Sequence, residues 1–66
     1  SGLNIDGTRV CMAQAVISLA QGVNDFSNEH INHAEEIVID GISNFGDRPE
    51  LNNLLDLIHY FQKTAK

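Results

Sequence analysis

Residues 27–41, SNEHINHAEEIVIDG, gather His30 and His33 with Glu29, Glu35, Glu36 and Asp40. Imidazoles and carboxylates three and four residues apart are the spacing with which one helix offers donors to a divalent cation. Glu29 with His33, or His30 with His33, makes such a pair. A working zinc site needs three or four ligands converging on one point, with partners that fix the ring nitrogens. Here every candidate projects from a single helix, and His59 is the only other imidazole in the chain. Stepping 100° per residue places His33 near Glu29, Glu36 and Asp40, opposite Val38. The stretch therefore reads as the wet exterior of a helix, with Glu29, His30 and His33 as the candidate metal ligands should any ion bind. No cofactor is implied.

The remaining chemistry is sparse. Cys11 is the only cysteine. It would act as a nucleophile only with a base held beside it. Among Val10, Met12 and Ala15 it reads as a packed, inert thiol. LNNLL, residues 51–55, matches the short L-x-x-L-L pattern by which a helix docks into an apolar groove, but almost any leucine-bearing helix offers such a match, and core packing is the expected role. There is no glycine-rich phosphate loop, no basic patch interleaved with aromatics and no Ser/His/Asp spacing, so the expectation is a protein that is not an enzyme.

The elements that would carry these residues are helices, and the expected fold is all-α, an up-down-up three-helix unit over about 8–21, 28–45 and 48–64. In the first, Asp6 or Thr8 can cap the start. Met12, Val16, Leu19 and Val23 recur at helical spacing, and Gly22 suits the left-handed residue that ends a helix. In the second, Ser27 is a suitable N-cap, with Phe26 and Ile31 at the spacing of a hydrophobic staple. Ile31, Ala34, Val38, Ile42 and Phe45 form its apolar stripe, and Gly41 at the stripe's edge points to a close crossing or a bend. In the third, Asp47 and Glu50 match a capping box around Pro49. Leu51, Leu54, Leu55, Ile58, Phe61 and Ala65 make its apolar face, with Lys63 and Lys66 at the end where cations are favoured.

Sixty-six residues make one domain, with a core that rarely supplies more than about 3–5 kcal/mol of net stability. A lone cysteine forms no internal disulfide, so a reducing, cytoplasmic setting is expected. No apolar run is long enough to span a bilayer. Nine acids against four bases give a net charge of −5, and no Lys or Arg lies between Arg9 and Arg48. Nucleic-acid binding draws on cations that neutralise phosphates, so neither direct nucleic-acid binding nor an anionic membrane is expected. Ser1-Gly2 reads as an expression scar left by a protease, with residues 3–6 a flexible N-terminus. The chain is full-length from near Leu3 or cut from something longer.

Three apolar faces sharing one small core leave large side chains over. Ile39, Leu57 and Tyr60 fall off the main stripes, and a second chain covering them would supply the missing burial. The residues expected to meet a protein partner are therefore Ile39, Leu57 and Tyr60, together with the acidic Glu29, Glu36 and Asp40.

The alanine-rich AQAVISLAQGVN, residues 13–24, followed by a capped second helix and a leucine-rich third, resembles the enterobacterial YmgB/AriR family of small biofilm and acid-resistance regulators. The likeness covers roughly residues 10–62 as layout. It implies a bacterial, cytosolic, all-helical protein that dimerises and connects to signalling systems, with no catalytic residues to carry over. DNA association is also among the family's proposed properties, and the lack of bases between Arg9 and Arg48 speaks against it here.

The leading expectation is a non-enzymatic helical regulator or adaptor acting by protein–protein contact, as a homodimer. The alternatives are an acidic inhibitor of phage or antitoxin type, blocking a basic nucleic-acid-binding site of its target, and a metal-binding protein built on His and Glu. Val38→Asp tests the assigned stripe, since it would place an unpartnered charge at its centre. The variant should lose its helical circular-dichroism signal and its cooperative melt, and an unchanged melt would contradict the assignment.

Overall fold

Three helices follow one another, α1 (Gly7–Asp25), α2 (Asn28–Phe45) and α3 (Pro49–Thr64), with no strand among the described residues. This is the all-α three-helix unit expected from the sequence. The computed structural model describes residues 7–64. The Asp6 cap, Ala65, Lys66 and the N-terminal segment 1–5 lie outside them. The helices pack chiefly as neighbours, α1 on α2 most extensively, α2 on α3 less, and α1 on α3 least.

α1 differs from expectation at both ends. It runs through Gly22 and stops at Asp25, because Gly22 serves a tertiary contact rather than a cap. A Cβ built on Gly22 would lie 2.5 Å from Ile31 Cγ1 and 2.9 Å from both Ile31 N and Ser27 O. The left-handed position falls instead on Phe26, with φ of 55°. The Ser27 amide donates back to the Gly22 carbonyl at 2.8 Å, the six-to-one bond of a Schellman ending. A residue with a Cβ pays about 1–2 kcal/mol for that conformation. At the other end Thr8 is not a cap; it sits inside α1, buried, and its hydroxyl has no hydrogen-bond partner among the described residues.

The buried face of α1 is also rotated from the expected one. Thr8, Cys11, Ala15, Ser18, Leu19 and Gly22 face inward, while Val16 and Val23 are exposed and Met12 is half-buried. Small residues win the inward positions because α2 crosses close by. Gly41 is part of the same contact: a Cβ there would fall on Cys11 Sγ. The close crossing expected at Gly41 is therefore present, and Cys11 Sγ donates to the Ile37 carbonyl at 3.3 Å across it.

α2 begins after Ser27, which is extended (φ −108°, ψ 109°) but makes no side-chain cap bond. The staple does not form. Phe26 is 93% exposed, and its intended partner Ile31 packs against Gly22 instead. The stripe itself holds: Ile31, Ala34, Val38 and Gly41 are buried, and Ile42 and Phe45 border the core. At α3, Arg48 is the residue whose carbonyl accepts the first helical bond, from Asn52 N. Asp47 stands one residue too early to cap, and its carboxylate accepts the Asn52 side-chain amide at 2.7 Å. Leu51, Leu54 and Ile58 are buried, with Leu55 and Phe61 packed beside them. The LNNLL leucines thus serve the chain's own core.

Gly22→Ala separates the two roles of that glycine. Within an exposed helix the change would stabilise by roughly 1 kcal/mol; against Ile31 it forces overpacking worth about 1–3 kcal/mol. Urea unfolding should show a net loss of stability, and a gain would return Gly22 to the role of a helix end.

Candidate interaction surfaces

The outer side of α2 carries Glu29, His33, Glu36 and Asp40, all exposed. Their spacing along the helix repeats every three or four residues, so they form one acidic row with a single imidazole in it. His30 lies beside that row, where an open trough of about 800 Å³ separates α2 from α1. Its walls include Ile17 and Gln21 from α1 and Glu29, His30 and His33 from α2. Its edge is fixed by Ser18, whose hydroxyl donates to the His30 carbonyl at 3.0 Å. Among the described residues no group of three or more His, Cys, Asp or Glu side chains could hold a metal ion. Glu29, His30 and His33 thus share a rim without converging.

A second cluster was not evident from the sequence. Glu35 turns away from the acidic row toward α3, where Gln62 Nε2 donates to its Oε1 at 2.8 Å and His59 Nε2 lies 3.1 Å from its Oε2. Gln62 Nε2 also donates to Asn32 Oδ1 at 3.0 Å. The Gln62 bond, then the His59 bond, holds the Glu35 carboxyl below the usual carboxylate range, against the opposing effect of burial. The signal was available: Glu35 lies only about 40° from Ile31 on the helical wheel, on the α3 side of the stripe.

Cys11 is buried, and burial first, then the nearby Asp40 charge, pushes its thiol above the ordinary value. A protonated thiol locked to Ile37 O is poorly suited to nucleophilic attack.

Ile39, Leu57 and Tyr60 are 50%, 46% and 59% exposed. They do not all share one flank. Ile39 continues the row of Asn32 and Glu35, which bonds Gln62 and His59 of α3. Leu57 falls in the α3 row of Glu50 and Phe61, which borders α1 at Thr8, Met12 and Val23. Tyr60 meets Phe61 edge-on, with ring centroids 5.5 Å apart and planes at 76°. The further exposed apolar residues, missed from the sequence, are Val10, Val16, Ile17, Val23 and Phe26, all on α1 or at its end.

Among the described residues no helix is long and apolar enough to cross a membrane. Comparison with family models, with curated proteins and with solved structures finds no match to this chain.

The Glu35 cluster sets a pH dependence. Its folded pKa is lowered relative to the unfolded chain, so its contribution is fully present above the unfolded value and is lost as pH falls through the folded one. Glu35→Gln should destabilise the protein by about 0.5–1.5 kcal/mol at neutral pH. It should also flatten the loss of stability between about pH 5 and pH 3. Thermal melts of parent and variant across that range check both, and parallel acid limbs would contradict the assigned cause.

Proposed function

We propose that this chain is a non-enzymatic helical regulator or adaptor that acts by protein–protein contact, as a homodimer in the cytoplasm, with the acidic row of α2 available to a further partner. The observation that carries the reading is the imbalance of apolar surface. Among the described residues, eight large hydrophobic side chains (Val10, Val16, Ile17, Val23, Phe26, Ile39, Leu57 and Tyr60) are exposed beside a core of nine buried hydrophobic residues. Single exposed apolar residues are ordinary; the four of them that α1 carries, Val10, Val16, Ile17 and Val23, lie together on one helix and fit a surface that a second chain covers. The sequence's resemblance in layout to the YmgB/AriR regulators supports the same reading.

A second reading rests on charge. Glu29, Glu36 and Asp40 present a contiguous anionic edge in a chain of net charge −5. This is the surface an inhibitor would use to occupy a basic nucleic-acid-binding site. Salt separates the two modes, because exposed charge pairs are screened within about 8 Å at physiological ionic strength whereas apolar contacts are not.

Sedimentation from micromolar to near-millimolar concentration, at low and high salt, tests the reading. Dimerisation that persists in high salt, with a melting temperature that climbs with protein concentration, is the expected result. A monomer throughout, with a concentration-independent melt, would remove the homodimer and leave the acidic row as the basis of function.

A further inference from the structure

α1 is the one helix whose outward side offers a coherent apolar face. No charged residue occurs from Val10 to Asn24. Helical periodicity sets exposed Ala13 and Ala20 down the middle of that side, with Val16 and Val23 on one flank and Val10 and Ile17 on the other. The opposite side of α1 is already buried against α2. A helix apolar on both sides is one that is covered on both sides.

We infer that the outer face of α1 is the self-association surface, and that its occupant is α1 of a second copy, packed antiparallel about a two-fold axis. This rests on the homodimer reading and replaces Ile39 as its centre.

Charge selects the occupant. Two copies of a chain with net charge −5 repel wherever acids face acids. The outward side of α2 presents Glu29, Glu36 and Asp40, and that of α3 presents Glu50 and Asp56. The outer face of α1 presents no acid, so it is the surface on which two copies meet without like-charge contact. Arg9, near its N-terminal end, is its one nearby cation. Antiparallel packing puts the two Arg9 side chains at opposite ends, each level with the Asp25 end of the other copy. It also opposes the two helix dipoles. A basic protein, by contrast, would be drawn to α2.

Size agrees. A stable interface covers about 800 Å² on each partner, which is roughly a fifth of this chain's 4423 Å². The outer half of α1 extends about 20 Å from Val10 to Val23, and Leu57, in the α3 row that borders α1, widens it, with Glu50 of that row left at the rim. The alanines in the middle let two backbones approach closely, while the valines and Ile17 close the sides.

The test compares Ala20→Glu with Ile39→Glu. Alanine to glutamate at an exposed helical site removes no packing from the monomer and keeps helix propensity high. In the dimer it buries a charge on the α1 face of each copy. Sedimentation of the parent should show a dimer. Ala20→Glu should raise its dissociation constant by at least about a hundredfold, with an unchanged circular-dichroism spectrum, and Ile39→Glu should leave the dimer intact. A parent that dimerises while Ala20→Glu still dimerises, or while Ile39→Glu dissociates, overturns this surface and keeps the homodimer. A parent monomeric at all concentrations overturns both.

Discussion

The close approach of α1 and α2 governs the rest of the molecule. Gly22 and Gly41 remove the two side chains that would hold the helices apart, one against Ile31 and the other against Cys11. Between them Ala15 and Ala34 are fully buried, and two polar bonds cross the seam, from Cys11 to Ile37 O and from Ser18 to His30 O. At these crossing points the contact is made of small residues, so backbone proximity and dispersion contribute to it directly. The large buried side chains come from Leu19 of α1, Ile31 and Val38 of α2, and Leu51, Leu54 and Ile58 of α3.

The same choice decides what the surface looks like. Because small residues hold the inward side of α1, its valines and Ile17 are turned outward. An ordinary amphipathic helix would have buried them. The second helix obeys the usual division, with acids outside and Ile31, Ala34 and Val38 inside. One chain thus presents a neutral apolar helix and an acidic one, separated by the trough at Gln21 and His30. Two chemically different surfaces support the proposal of an adaptor that meets a copy of itself on one side and another molecule on the other.

The helices of this fold were legible because their signals are local. Pro49 fixed the start of α3, and the Ile31–Val38 stripe fixed the inward face of α2. Some errors were local, in the register of caps at Thr8, Ser27 and Asp47; the larger ones came from side chains whose role is set by a distant neighbour. Gly22 carries the composition of a helix end, yet Ile31, nine positions on, needs its bare backbone. Phe26 and Ile31 have staple spacing, yet Ile31 is taken by α1 and Phe26 is left in water. The hydrophobic pattern of α1 is nearly even around the helix, so no inward face could be chosen from it until α2 selected the small one. Among the candidate site residues, the acidic row was readable because exposure of charge is the default. For Glu35 the wheel showed only its place beside the stripe; its partners His59 and Gln62 lie on another helix and were not readable.

The α1–α2 seam is tested most directly through Cys11, which lies in it under Gly41 and is the only thiol in the chain. Native-state labelling with a thiol-specific reagent, compared with labelling in denaturant, measures how often that seam opens. A seam closed as described should protect Cys11 at least about a hundredfold, in line with a small domain's few kcal/mol of stability. Labelling in native buffer at the rate of the unfolded chain would mean that α1 does not rest on α2 at Cys11, and the fold described here would be wrong at its centre.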